Sequence, residues 1–591
     1  MKKITVKFIA LLIAGTVITL SCGKGFLERT PKGSLDVNAL ANKKGVEALL
    51  IGAYAVLDGF INGGGIFLGG WQSSGTNWVY GSVCGGDAHK GSDAGDQPDV
   101  NPIETFTPTP TNDYFNQKWQ IVYEGISRSN SVLRVMALAT DIGAADKTRI
   151  EAEARFLRAH YHFEAKKMWN KVPWIDEAVE PPFNVPNDAD IWSKIEADLQ
   201  FAYQNLAVTM NAKGRVNKYA AGALYAKALM FQGKYAAAKT VLDDLYTNGK
   251  NAQGVKYKLL DKYADNFNAD TKNSTESVFA VQYSVNDGSG ADNGGWGEVL
   301  NFPYTGGPGT CCGFFQPSQD LVNSFQVDPV TGLPNADTYN SHEVKNDEGL
   351  QSTDPFVPET GTLDARLDWT VGRRGIPYLD WGKHPGYNWI RDQAYSGPYA
   401  PIKNTYYKSQ ERVKTDVNFW TSGITANNYT LIRFADVILW LAECEIEVGS
   451  LDKARQYVNE VRARAANPAG WVLDGAVPAA NYKVGLYPVA AAQFATQAAA
   501  RKAVRHERKI EFGMEGHRFF DLVRWGIAAT EINKVLDYNG GVTVPTMNNK
   551  RSYLTAANFT ANKNEYFPIP QSQIDLSSSG GTPVLKQNPG Y

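Results

Sequence analysis

Apolar residues recur at three- and four-residue spacing from Asn38 to Leu57 and again across 118–138, 147–169, 191–206 and 217–246. That spacing puts one apolar face on each segment and predicts amphipathic helices. Two stretches carry a finer signal. Tyr225, Ala226, Leu229, Gly233, Ala238 and Leu242 fall on the positions of a tetratricopeptide helix pair. Leu441, Ala442, Gly449, Ala454 and Val458 repeat the spacing. Small residues let paired helices approach closely, and the glycine turns the chain between them.

Between these pairs the helical pattern lapses. Residues from about 251 to 429 are rich in Gly, Pro, Asn and Asp, with "ESVFAVQYS" (276–284) as the clearest strand. So long an irregular insertion in a helical frame points to function. The expectation is one mostly α domain over 22–591. Its scaffold covers about 35–250 and 430–535, and the loop-rich insertion lies between.

At the start, Met-Lys-Lys precedes an apolar run from Phe8 to Leu20 and then Ser21-Cys22. A basic start, a short apolar core and a small residue before cysteine predict an export signal over 1–21 and a lipidated Cys22. Thr19 stands where leucine is commonest in such signals. A polar tether, Phe26 to Ser34, follows. With 59 basic and 61 acidic residues the formal charge is −2, and loss of Lys2, Lys3 and Lys7 takes it to −5. Nothing in that balance favours nucleic acid as a partner.

Aromatic content changes the picture: 14 Trp, 29 Tyr and 26 Phe, many in glycine- and proline-rich loops. Trp71, Trp78 and Tyr80 precede Asp87, His89 and Lys90, and Trp296, Tyr304, Phe314 and Phe315 lie in the insertion. Indole and phenol rings cover the C–H face of a sugar at low entropy cost, while Asp, Asn and Arg pair with its hydroxyls. The expected ligand site is Trp71, Trp78, Asp87, Trp296, Tyr304 and Arg373, with the indoles exposed. In "GRRGIPYLDWG", Arg374 reads as a structural clamp and Arg373 stays open between clamp and ligand contact.

Other chemistry is weaker. "EGHRFFDLVRWG" (515–526) spaces His517 and Asp521 four apart, as an oriented general base would be. The motif has no nucleophile, however. Glu507, Arg508, Glu511, Arg518, Asp521 and Arg524 balance three acids with three bases, as partly buried paired charges require. The reading is a structural charge network. Asp93, Asp96 and Asp99 lack EF-hand spacing and read as a solvated loop. Cys84, Cys311, Cys312 and His89 lack zinc spacing, and a Cys84 bridge to one of the vicinal pair stays open. No metal and no cofactor is expected, and no catalytic residue is assigned.

Four segments resemble the SusD/RagB family of nutrient-uptake outer-membrane lipoproteins: "CGKGFLERTPKGS", "LIRFADVILWLAECEIEVGSLDKARQYVNEVRARA", "RHERKIEFGMEGHRFFDLVRWG" and "EYFPIPQSQIDLSSSGGTPVLKQNPGY". The resemblance implies tetratricopeptide-like helix pairs bearing a variable ligand face, located between the early loop and the insertion. It implies a non-catalytic protein at the cell surface, anchored by lipid to the outer membrane. Its role would be to capture oligosaccharides or polysaccharides as the lid of a SusC-like TonB-dependent β-barrel transporter. Capture of peptides is the alternative within the family. An exported glycoside hydrolase and a protein-binding helical scaffold are the rivals outside it.

Overall fold

The computed structural model describes residues 37–59, 70–179, 182, 184–542, 550–578 and 580–591. The leader, Cys22 and the polar tether lie outside them. Among the described residues, eleven helices of seven residues or more frame the fold: α1 (Lys43–Ala55), α2 (Asp113–Leu138), α3 (Ala144–Trp169), α4 (Trp192–Asn205), α5 (Lys218–Met230), α6 (Tyr235–Asn248), α7 (Phe434–Val448), α8 (Leu451–Ala465), α9 (Gln497–Phe512), α10 (Arg518–Arg524) and α11 (Ala528–Asn539). From α1 to α8 each helix packs on the next, and α9 packs across α7 and α8. This is a tetratricopeptide-like run of helix pairs, as the periodicity predicts.

Local chemistry sets the starts. The side chains of Asn42, Asn112, Asn217, Ser450 and Thr496 each accept a backbone N–H in the first turn of α1, α2, α5, α8 and α9. Each cap satisfies a donor the helix itself leaves open. In the α5–α6 pair Ala226, Leu229, Ala238 and Leu242 are buried, and Gly233 takes φ +67° in the turn. A side chain would be strained there.

Between α6 and α7 the chain forms only helical turns of five residues or fewer. It opens with β2 (Ser277–Val281) and closes with β4 (Tyr429–Arg433), paired antiparallel, so the insertion leaves and returns at one place on the scaffold. A second antiparallel pair joins β1 (Ala88–Gly91) to β3 (Phe314–Pro317) and ties the early loop to the insertion.

The 507–525 stretch departs from a continuous helix. α9 ends at Phe512, and α10 begins only at Arg518, after a turn through Gly516 at φ +72°. A Cβ on Gly81 would lie 1.8 Å from the Gly516 carbonyl oxygen, so this turn sits directly on the early segment 78–83. The expected charge network is present and larger than the motif. Glu507 pairs with Arg366 and Arg462, and Glu511 with Arg366, Arg433 and Arg464. Glu515 pairs with Arg433 and Lys403. Asp521 joins Arg508 to Arg524, which forks onto Glu443 at 2.7 Å through both terminal nitrogens.

Arg518 departs from the expectation. It is half-buried and makes no ion pair among the described residues. His517 stands at the N-cap position of α10 without a side-chain capping bond, beside the Phe512 ring, and burial, reinforced by Lys227, holds its pKa well below the usual value.

Candidate functional site

The early loop and the insertion meet at Arg391. Its guanidinium reaches Asp93 at 2.7 Å and Asp96 at 2.6 Å, donates to Ser92 Oγ at 2.8 Å, and lies 5.3 Å from the Tyr304 ring. Behind them Lys90 is buried. Its Nζ donates to the carbonyls of Asp93 at 2.7 Å and Asp96 at 2.5 Å, below the Tyr395 ring. Burial lowers its pKa to about 8. An ammonium thus occupies the middle of the 93–96 turn, and Arg391 takes the two carboxylates. Among the described residues no group of three or more His, Cys, Asp or Glu is placed to hold a metal.

From Tyr304 the chain runs through "TGGPGTCCG". Tyr304 N donates to Trp389 O at 2.8 Å, and Gly309 N to the Tyr406 hydroxyl at 2.8 Å. Thr421 Oγ1 donates to Gly309 O at 2.5 Å, which brings the 419–423 segment alongside. A Cβ on Gly307 would come within 2.7 Å of the Trp389 indole, so only glycine lets the loop lie on that ring. Cys311 and Cys312 are bonded to each other, and Cys84 is a free, buried thiol, which closes the open question of a Cys84 bridge. His89 pairs with Glu104 at 2.9 Å.

The aromatic rings divide by depth, and the expectation of exposed indoles fails at three positions. Trp78, 1% exposed, packs edge-on against Phe314 and Phe315. Trp71 is buried. Trp296, 3% exposed, donates to Ala291 O at 3.0 Å and packs edge-on against Phe419 at 4.8 Å. The loops fold on one another and these rings fill the space between them. Asp87 is also sealed in, against the 513–517 turn, and burial raises its pKa to about 6. Arg373 is a buried clamp, held by both oxygens of Asp368 at 2.6 and 2.9 Å. Arg374 donates to the carbonyls of Ser352 and Asp354, as its structural reading expects.

Of the six expected residues only Tyr304 is open to solvent, half-buried beside Arg391. The accessible rings that accompany it are Trp420, 50% exposed, and Tyr387, 40% exposed. Trp420 follows Phe419, the ring that rests on Trp296. Tyr387 begins the short turn carrying Trp389, on which the glycine loop lies. Tyr304, Tyr387 and Trp420 are therefore carried on one set of interlocked loops, tied together by Tyr304 N to Trp389 O and Thr421 Oγ1 to Gly309 O, with Arg391 beside Tyr304. Sequence reasoning passed over Trp420 and Tyr387, although each stands close to another ring, Phe419 and Trp389. The available signal was polarity: Trp420 sits in "DVNFWTSG" and Tyr387 in "HPGYNW". Trp78, by contrast, opens the apolar run "WVYGSVC".

Comparison with known proteins places this architecture. The profile described as SusD family matches residues 275–591, more than half of the chain. The profile described as starch-binding associating with outer membrane matches residues 87–230. SusD-like protein P25 of Formosa agariphila is 26% identical over 416 residues, covering 69% of this chain and 70% of the relative. A solved structure described as a laminarin binding SusD-like protein is 25% identical with a TM-score of 0.62, covering 93% of this chain and all of that one. A SusD superfamily protein from Bacteroides vulgatus is 21% identical with a TM-score of 0.64, covering 93% and 99%. On its profile match and its fold, the chain belongs to the SusD/RagB family.

Proposed function

We propose that this protein is a non-catalytic, surface-exposed glycan-binding lipoprotein that captures oligosaccharides for a SusC-like TonB-dependent transporter. The observation that carries the reading is that three accessible rings, Tyr304, Tyr387 and Trp420, ride on interlocked loops, with Arg391 5.3 Å from the first of them; together they form the crown. Exposed rings on loops gain little from water and much from the apolar face of a sugar. Arg391, already oriented by Asp93 and Asp96, keeps part of its fork at the surface for hydroxyls at little further ordering cost. The buried Trp78 and Trp296 act as footings, and Asp87 and Arg373 fix the loops from beneath. A relative described as laminarin binding supports a neutral glucan as the first ligand to try.

Export and anchoring through Cys22 belong to the same reading and place the capture face outside the outer membrane. The carboxyls whose pKa values are raised most clearly, Asp87 and Asp347 to about 6 and Glu298 to about 7, owe the shift first to burial. All three are sealed from solvent, where no glycosidic oxygen reaches them, which favours capture over hydrolysis. The test is native affinity electrophoresis against neutral polysaccharides, laminarin among them, with a peptide panel in parallel. Retardation by at least one neutral glycan, with no new reducing ends released, is the expected result. Binding confined to peptides, or hydrolysis of the glycan, would overturn the proposal.

A further inference from the structure

A cavity of about 650 Å³ lies between α9, α11 and the 336–340 turn, and shares no lining residue with the aromatic crown. Six cations line it (Arg501, Lys502, Arg505, Lys509, Arg518 and Lys534) against three carboxylates, in a chain whose formal charge is −2. Three of the cations are answered inside the cavity. Lys509 pairs with Asp320 at 2.5 Å, Lys534 with Glu531 at 2.7 Å, and Lys502 with Asp337. Arg501 is answered from outside, forked onto Glu447. Arg505 and Arg518 have no ion pair among the described residues.

The placement of these two is not what stability alone would select. Arg501, Arg505 and Lys509 stand four apart on α9, a stripe of like charges that weakens an isolated helix. The Arg505 guanidinium rests over the Trp525 ring at 5.1 Å. Stacking orients the planar fork and leaves its edge of N–H donors available. Arg518 lines the same wall as Asp320 and Lys509, half-buried and without an ion pair among the described residues, its charge bearing on Asp87 and Asp320 from a distance. One guanidinium set over an indole, a second with no ion pair at the wall, a local excess of positive charge and a cavity of ligand size together describe an anion receptor.

We propose that this cavity is a second ligand site, taking a saccharide unit that bears a sulfate ester or a uronate carboxylate, held by Arg505 and Arg518. A sulfate or carboxylate offers the paired oxygens a guanidinium fork matches, and the unit's hydroxyls meet Asn340 and the lining carboxylates. The site is independent of the crown. Neutral glycans engage the rings, and charged ones engage this cavity.

The test is calorimetry on the full chain in detergent at about 0.15 M salt. The probes are dextran sulfate oligomers, oligogalacturonate, neutral dextran, inorganic sulfate and an acidic peptide. At least one charged saccharide should bind, at least tenfold more tightly than neutral dextran. Arg505→Gln and Arg518→Gln should each weaken it about tenfold with unchanged melting, while Arg412→Gln, outside the cavity, binds as wild type. Should either glutamine variant melt early, Arg505→Lys, which keeps the charge but not the fork, should still weaken binding. The proposal fails if no charged saccharide binds, or if both arginine variants bind as wild type. It fails equally if inorganic sulfate binds as tightly (an adventitious ion only) or if only the acidic peptide binds. Loss of neutral-glycan binding in crown variants leaves these readings unmoved, so the two sites fail or stand separately.

Discussion

Replacing Glu511 by glutamine removes one negative charge from the interior and leaves the side chain's shape. Glu511 receives hydrogen bonds from Arg366 at 2.9 Å, Arg433 at 3.0 Å and Arg464 at 2.5 Å, all buried. The surrounding cluster sets Glu276, Asp364, Glu507, Glu511 and Glu515 against Arg366, Arg433, Arg462, Arg464 and Lys403, and the charges balance. After the substitution one buried cation has no counter-charge. Breaking a buried pair in this way costs about 3–5 kcal/mol. Urea unfolding should show a lower midpoint with an unchanged slope. Adding Arg464→Gln restores the balance, so the double variant should lose less than the two single losses together, by about 1 kcal/mol or more.

The pH dependence follows from the same site. Burial opposes the Glu511 charge, but Arg464, Arg433 and Arg366 outweigh it and hold the carboxyl well below its usual range. A depressed carboxylate stabilises the fold above its unfolded value of about 4.3 and loses that contribution as pH falls below it. The gap between wild type and Glu511→Gln should therefore narrow below about pH 4. A single variant within about 0.5 kcal/mol of wild type at pH 7, or strict additivity in the double variant, would refute the network as the anchor of this region.

Asp87 runs the opposite way. Its raised pKa, about 6, makes its stabilising contribution full below the unfolded value and lost as pH climbs through 6. Asp87→Asn should flatten the decline between pH 4 and 8, by up to about 3 kcal/mol, in melting followed across that range. Gly81→Ala forces a Cβ into the Gly516 carbonyl and should abolish soluble expression or lower melting sharply, measured by circular dichroism. Trp78→Ala should cost about 3–5 kcal/mol of stability as a core truncation, whereas Trp420→Ala should leave melting unchanged. Cys22→Ala should move the chain out of the membrane fraction and end its labelling with palmitate.

The helical half was legible because period and capping act locally. The Asn, Ser and Thr caps and the Gly233 turn are written beside the helices they bound. The balance of Glu507, Arg508, Glu511, Asp521 and Arg524 likewise foretold pairing, although not that Arg366, Arg433 and Arg464 would arrive from elsewhere in the chain. Arg518 shows the limit of counting charges, since the balance included it and the pairing did not. The ligand face was harder. Whether a loop tryptophan is footing or platform depends on which other loop covers it, and that is a long-range fact. Trp78 is covered by β3 and Trp296 by Phe419, while Trp420, one residue on, is not. Arg373 and Arg391 look alike in sequence. One is closed by Asp368 within its own segment, and the other is held at the surface by a loop some 300 residues earlier.

The capture reading rests on the crown, and one comparison tests it most directly. Calorimetry should be run with laminarin oligosaccharides, or with whichever neutral glycan retards the protein most, on wild type and on Trp420→Ala, with Trp78→Ala as the buried control. Covering the exposed half of an indole with a sugar face contributes about 1–2 kcal/mol, so Trp420→Ala should weaken binding roughly 5–30-fold at unchanged melting. Combination with Tyr304→Ala should bring it below detection. Wild-type affinity in Trp420→Ala, Tyr304→Ala and Tyr387→Ala alike would contradict the account and place glycan capture, if the protein performs it, on another face.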